Sequence, residues 1–172
     1  TEWYMLTNKF GEAKMYYPKE NNIRLVNDAT FSTQESILYL FLSSSSPDLG
    51  FKKMGFTLRD SKFEDDLMIS TWNPPVFLEK ELSKVEIVMK NYEPIYLAYF
   101  NSKGAVLKKV YYSNYVKNKP YTLPLRVTTI DYVDNFKDSI VTQINYSDLK
   151  TNSSANNALG SFKIPDDAKP ID

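Results

Sequence analysis

The stretch NPPVFLEKELSKVEIVMKNYEPIYLAYFNSKGAVLKKVYYSNY, residues 73–115, reads as strand, turn, strand, turn, strand. Its turn residues fall at "NYEP" (91–94) and "NSKG" (101–104), between runs rich in Val, Ile, Tyr and Phe. Side chains alternate along a strand, so Val85, Ile87 and Met89 share one face and Val88 takes the other. Leu97 and Tyr99 oppose Tyr96, Ala98 and Phe100, and Val110 and Tyr112 oppose Leu107 and Tyr111. A half-buried antiparallel sheet carries polar residues on its solvent face. Here both faces carry apolar and aromatic groups. A curved sheet accounts for this if its concave face turns inward and its convex aromatics partly cover one another.

The flanks repeat the pattern. "FKKMGFTLRD" (51–60) and "DDLMISTWNP" (66–74) are expected to pair, with Leu67, Ile69 and Thr71 on one face and Met68, Ser70 and Trp72 on the other. "LPLRVTTIDYV" (123–133) and "DSIVTQINYSDL" (138–149) read as two more strands. Towards the N-terminus, "EWYML" (2–6), "EAKMYYP" (12–18) and "IRLV" (23–26) are separated by turn residues and form an antiparallel meander. "KTNSSANNALGS" (150–161) is a polar loop, and the prolines of "FKIPDDAKPID" (162–172) keep that extended tail away from central pairing. About nine strands are expected, with no internal repeat.

One segment changes period. Residues 33–42 read as a helix, with Ser32 and Glu35 spaced as a capping box and Phe31 placed to staple onto the first turn. Ile37, Leu38, Leu40, Phe41 and Leu42 make it apolar almost all round, and the serine run and Pro47 end it. Two roles stay open: a plug completing the core, or a lid that moves when a ligand enters. The expected fold class is mainly β, a curved antiparallel sheet or half-open β-barrel with a short helical lid, over a single domain, 1–172.

Composition narrows the function. The 172 residues carry 21 Lys plus Arg and 21 Asp plus Glu. That zero balance argues against a nucleic-acid partner, whose phosphates need a cationic surface. No apolar run reaches the ~18 residues of a membrane-spanning helix. With no His and no Cys, the chain has no Ser-His or Cys-His pair and no ordinary zinc site. Carboxylates, Lys and Tyr remain for catalysis, and the expectation is a protein that is not an enzyme and uses no metal or cofactor. Only 5 Gly argues against a glycine-rich phosphate loop.

Glu64, Asp65 and Asp66, placed with Ser61 and Lys62 in a predicted hairpin turn, read as a solvated turn in preference to an acid–base pair or calcium contact. Asp166 and Asp167 beside Pro165 read the same way. Lys108 and Lys109 next to Tyr111, Tyr112 and Tyr115 read as strand-edge lysines that discourage aggregation, in preference to a nucleic-acid patch. The candidate site is instead an apolar cavity. Its lid residues are Phe31, Ile37, Leu38, Phe41 and Leu42, and its sheet residues are Trp72, Val85, Ile87, Met89, Leu97 and Tyr99.

The order of these parts resembles the outer-membrane lipoprotein carrier (LolA-type) family, in particular divergent relatives from Bacteroidetes-like bacteria. The matching stretches are "EWYMLTNKFGEAKMYYPKENNIRLV", the "ATFSTQESILYLFLSS" helix after it, "ISTWNPP", the hairpins of 84–115 and the "FKIPDDAKPID" ending. The family pattern opens with an N-terminal helix and further strands, so the resemblance implies a form lacking that N-terminal part and, with it, the carrier's lid-latching arginine. It also implies a periplasmic carrier that shields the acyl chains of lipoproteins or other lipids and meets inner- and outer-membrane sorting proteins. The expectation is a monomer of the cell envelope whose signal peptide is not part of this stretch. Each buried methylene contributes about 0.8 kcal/mol, so acyl chains bind strongly if fully covered. A carrier must also release them, which favours a loosely packed pocket of Met, Leu and Phe. The alternative is a non-catalytic envelope β-domain whose concave face is a filled core.

Overall fold

The computed structural model describes residues 2–7, 13–26, 48–52, 54–118, 121–147 and 161–171. The expected helix, with Phe31, Ile37, Leu38, Phe41 and Leu42, lies outside the described residues. Among the described residues there are eleven strands: β1 (Tyr4–Thr7), β2 (Ala13–Tyr17), β3 (Asn22–Val26), β4 (Thr57–Glu64), β5 (Leu67–Asn73), β6 (Lys84–Lys90), β7 (Glu93–Phe100), β8 (Val106–Asn118), β9 (Tyr121–Val133), β10 (Asp138–Asn145) and β11 (Lys169–Ile171). They form two compact units, one from Thr1–Tyr39 and Asp148–Asp172, the other from Leu40–Ser147.

The unit built from the chain ends is a four-stranded sheet in the order β1-β2-β3-β11. β1 to β3 form the expected antiparallel meander, and β11 adds parallel to β3. Pro170 therefore sits on an edge strand, where its missing N–H is tolerated. Asn21, at φ 48°, ties the two ends of the chain together. Its Nδ2 donates to Asp167 Oδ2 at 3.1 Å, and its carbonyl accepts from the Lys169 amide at 2.9 Å. Phe162 stacks on Tyr4, with ring centroids 4.8 Å apart.

The larger unit is a seven-stranded sheet in the order β10-β9-β8-β7-β6-β5-β4, every neighbour antiparallel. It is curved and does not close into a barrel, and among the described residues β4 and β10 are its edges. Two hairpins use two-residue turns with positive φ at both positions, Asp65–Asp66 (47° and 63°) and Asn91–Tyr92 (51° and 65°). Such turns match the right-handed twist of the strands they join. The 101–105 turn is held by Asn101 Oδ1, which accepts from the Lys103 and Ala105 amides at 2.9 Å each, with Gly104 at φ 78°.

Three expectations are corrected. Residues 51, 52 and 54–56 are not strand: Gly50 and Gly55 take φ of 78° and 85°, and Asp48 accepts from the amides of Gly50 and Lys52 at 3.1 and 3.3 Å. The resulting turns bury Phe51 against Phe56 and Trp72, with ring centroids 4.7 and 5.9 Å apart. Ser61, Lys62 and Glu64 belong to β4, because the tight Asp65–Asp66 turn lets the strand run on. Lys108 and Lys109 lie on β8, an interior strand and not an edge.

Candidate apolar site

Register places the six sheet residues singled out above on one face. Trp72 pairs with Val85 and Val85 with Tyr99; Ser70 pairs with Ile87 and Ile87 with Leu97; Met68 pairs with Met89. Trp72, Val85, Ile87, Met89, Leu97 and Tyr99 are all buried, Val85 and Tyr99 marking the extremes at 0% and 7% exposed. β8 and β9 continue the face with Val110, Tyr112, Val127 and Thr129, again buried.

The polar groups on this face are matched. Trp72 Nε1 donates to Ser70 Oγ at 3.0 Å, and that hydroxyl donates to the Ile87 carbonyl at 3.4 Å. Lys108 and Asp131, opposite each other on β8 and β9, form an ion pair with Nζ 3.0 Å from Oδ1. Burial pushes the phenols of Tyr99 and Tyr112 well above the usual tyrosine range, because a phenolate there would lose its water. Among these side chains only Lys108 and Asp131 carry charge at neutral pH, and they balance.

The face opens at the hairpin tips. A cleft of about 570 Å³ is walled by Phe63, Met68, Met89 and Tyr92, with Asp66, Lys90 and Asn91 at its rim. Phe63 faces Met68 and Met68 faces Met89, so one row of apolar groups crosses β4, β5 and β6 into the buried face. Phe63 and Tyr92 are 81% and 86% exposed, whereas Met89 is 2% exposed. The size suits a small ligand, the lining mixes these apolar groups with polar ones, and thioether side chains adapt to irregular contents. At the opposite end of β5 a second cleft, about 620 Å³, is lined by Gly55, Thr57, Asn73, Pro74, Pro75, Val76, Glu79, Leu82 and Ser83. Its mixed lining lacks a continuous apolar wall.

The opposite face of the sheet answers the opening puzzle. Tyr96 and Tyr111 contact each other at 5.2 Å between centroids, Lys84 Nζ lies 4.3 Å from the Phe100 ring centre, and Lys109 Nζ lies 5.4 Å from that of Tyr132. These aromatics cover one another or sit under lysine stems.

Sequence reasoning reached Met89 but missed Phe63, Met68 and Tyr92 as lining. A signal existed for each. Alternation puts Met68 with Ser70 and Trp72, a two-residue Asp-Asp turn sets Phe63 opposite Met68, and Asn91-Tyr92 stands where a hairpin ordinarily has Asn-Gly.

No protein-family profile and no curated protein matches the chain by sequence. Solved structures do match in fold. One is a domain assigned as an outer membrane lipoprotein-sorting protein, from Vibrio parahaemolyticus, 17% identical with a TM-score of 0.56, over 91% of this chain and 68% of that one. Another is a DUF1329 family protein from Desulfovibrio piger, 13% identical with a TM-score of 0.53, over 91% and 66%. A LolA superfamily protein from Nitrosomonas europaea aligns at 14% identity and a TM-score of 0.46, over 87% and 70%. The chain spans about two thirds of the length of the first two structures. The chain shares its fold with the first two of these structures.

Proposed function

We propose that this protein is a non-enzymatic carrier that takes the acyl chains of lipoproteins or other lipids on its apolar face and moves them through the periplasm towards the outer membrane. One observation carries the reading: the apolar face of the large sheet opens into a cleft walled by Phe63, Met68, Met89 and Tyr92. Entry of a chain would remove apolar surface from water at about 25 cal/mol per Å², from the ligand and from the exposed Phe63 and Tyr92 rings alike. The fold likeness to a lipoprotein-sorting domain supports the same reading.

Tyr92 adds a physical argument. A bulky residue at φ 65° is strained, and its ring is left in solvent where glycine would relieve the backbone. Stability does not explain an aromatic there, but a role at the lip of a binding cleft does. The test is titration with a fluorescent fatty acid, comparing the natural chain with Met68→Glu. Met68 is half-buried on the cleft wall, so the glutamate brings charge to it. Saturable binding lost in the variant is the expected result, and equal binding by both overturns the proposal.

A second reading, a non-catalytic envelope β-domain with a filled concave core, is favoured by the burial of Val85, Ile87, Leu97 and Val110, each 0–1% exposed. It expects no saturable binding by either protein.

A further inference from the structure

The two edges of the large sheet differ in chemistry. β4 has all its residues exposed, but it carries Arg59, Asp60, Lys62 and Glu64, and its register shifts between Leu58 and Asp60. Charges and bulges of this kind keep an edge from pairing with another chain. β10 has neither protection. It pairs with β9 through eight consecutive residues without a shift, and from Ser139 to Asn145 it holds no charge. Ile140 and Val141 on it are 56% and 63% exposed.

We propose that β10 is a self-pairing edge, to which a second copy of this chain adds its own β10 antiparallel, centred on Thr142. This goes beyond the carrier reading and replaces the monomer expected above. A two-fold axis perpendicular to the sheet must pair residues of the same face, which restricts the register. Centred on Thr142, it sets Ile140 against Ile144 of the second copy, and Ile144 against Ile140. Thr142 meets itself, Val141 meets Gln143, and Ser139 meets Asn145. β-Branched and Thr–Thr pairs of this kind are the favourable cross-strand contacts, and no like charges face each other. Centring on Val141 would set Asp138 against Ile144, and centring on Gln143 would give up the Ile–Ile contacts. Ile140, Thr142 and Ile144 lie opposite Asp131, Thr129 and Val127, so the joined sheet would continue the face that holds the buried Val127 and Thr129 from one copy to the next.

The chain has no cysteine, which makes a direct test clean. Residues directly opposite in an antiparallel pair have Cα atoms about 4.5–5.5 Å apart, within disulfide reach. Under mild oxidation Thr142→Cys is expected to give a disulfide-linked dimer and Ser139→Cys, exposed on the same strand, to give little. Sedimentation equilibrium across a concentration series is expected to show a dimer for the natural chain. For Ile140→Lys the dissociation constant should rise at least about tenfold, since the contact is lost twice, with an unchanged circular dichroism spectrum. A natural chain that stays monomeric, equal cross-linking at 139 and 142, or an undiminished Ile140→Lys dimer each overturns the proposal.

Discussion

Lys108 on β8 and Asp131 on β9 face each other across the strands, Nζ to Oδ1 3.0 Å, on the face that is mainly apolar. Their side chains are 12% and 31% exposed. Taking one charge from such a pair strands the cost of desolvating the other end. Lys108→Met is expected to lower the unfolding free energy by about 1–3 kcal/mol, and Lys108→Met with Asp131→Leu to recover most of it. Urea denaturation of the three proteins measures this. A double variant no more stable than the single one would show that the pair is not the unit.

Tyr92→Gly is expected to separate stability from binding. Glycine takes φ 65° without the Cβ clash, so the variant should gain about 0.5–1 kcal/mol by thermal or urea unfolding. The same change removes a wall of the cleft and should weaken fatty-acid binding at least about threefold. Unchanged affinity would remove the ring from the binding site.

Legibility from sequence followed the type of force involved. The Val85–Ile87–Met89 alternation and the Asn-containing turns act locally, so the meander and the shared face of Trp72, Val85, Ile87, Met89, Leu97 and Tyr99 could be read directly. The start of β4 could not. "FKKMGF" looks like a strand by composition, but the Asp48 carboxylate and two left-handed glycines hold turns at 48–52 and 54–55. The cleft was missed because its lining is assembled from the tips of two hairpins, Phe63 with Met68 and Met89 with Tyr92. The parallel pairing of β11 with β3 joins opposite ends of the chain and leaves no local trace.

Alkaline pH should destabilise the fold through Tyr99 and Tyr112. Their folded-state phenols titrate above the ordinary value of 10.0 because burial opposes the charged form. Below pH 10 both states are neutral and the full stability is present. Above it the unfolded chain loses these protons first, so stability falls by about 1.4 kcal/mol per pH unit for each phenol until the folded form ionises as well. Tyr99→Phe should shallow that fall, read from urea midpoints above pH 10. An unchanged slope would mean that this phenol is not responsible.

Ser70→Ala takes the acceptor from the buried Trp72 indole N–H, which donates to it at 3.0 Å. A loss of about 1–3 kcal/mol is expected, with altered Trp72 fluorescence in a Trp3→Phe background. A loss below about 0.5 kcal/mol would show that the indole finds another acceptor.

In the large sheet every strand lies beside its predecessor in the chain, so a polypeptide threaded out of a narrow channel can zip it up hairpin by hairpin with small loop-closure cost. The small sheet has no such freedom: Asn21 must wait for Asp167, 146 residues later, before β11 can dock. Residues 167–171 must thus be made before β3 gains its second neighbour.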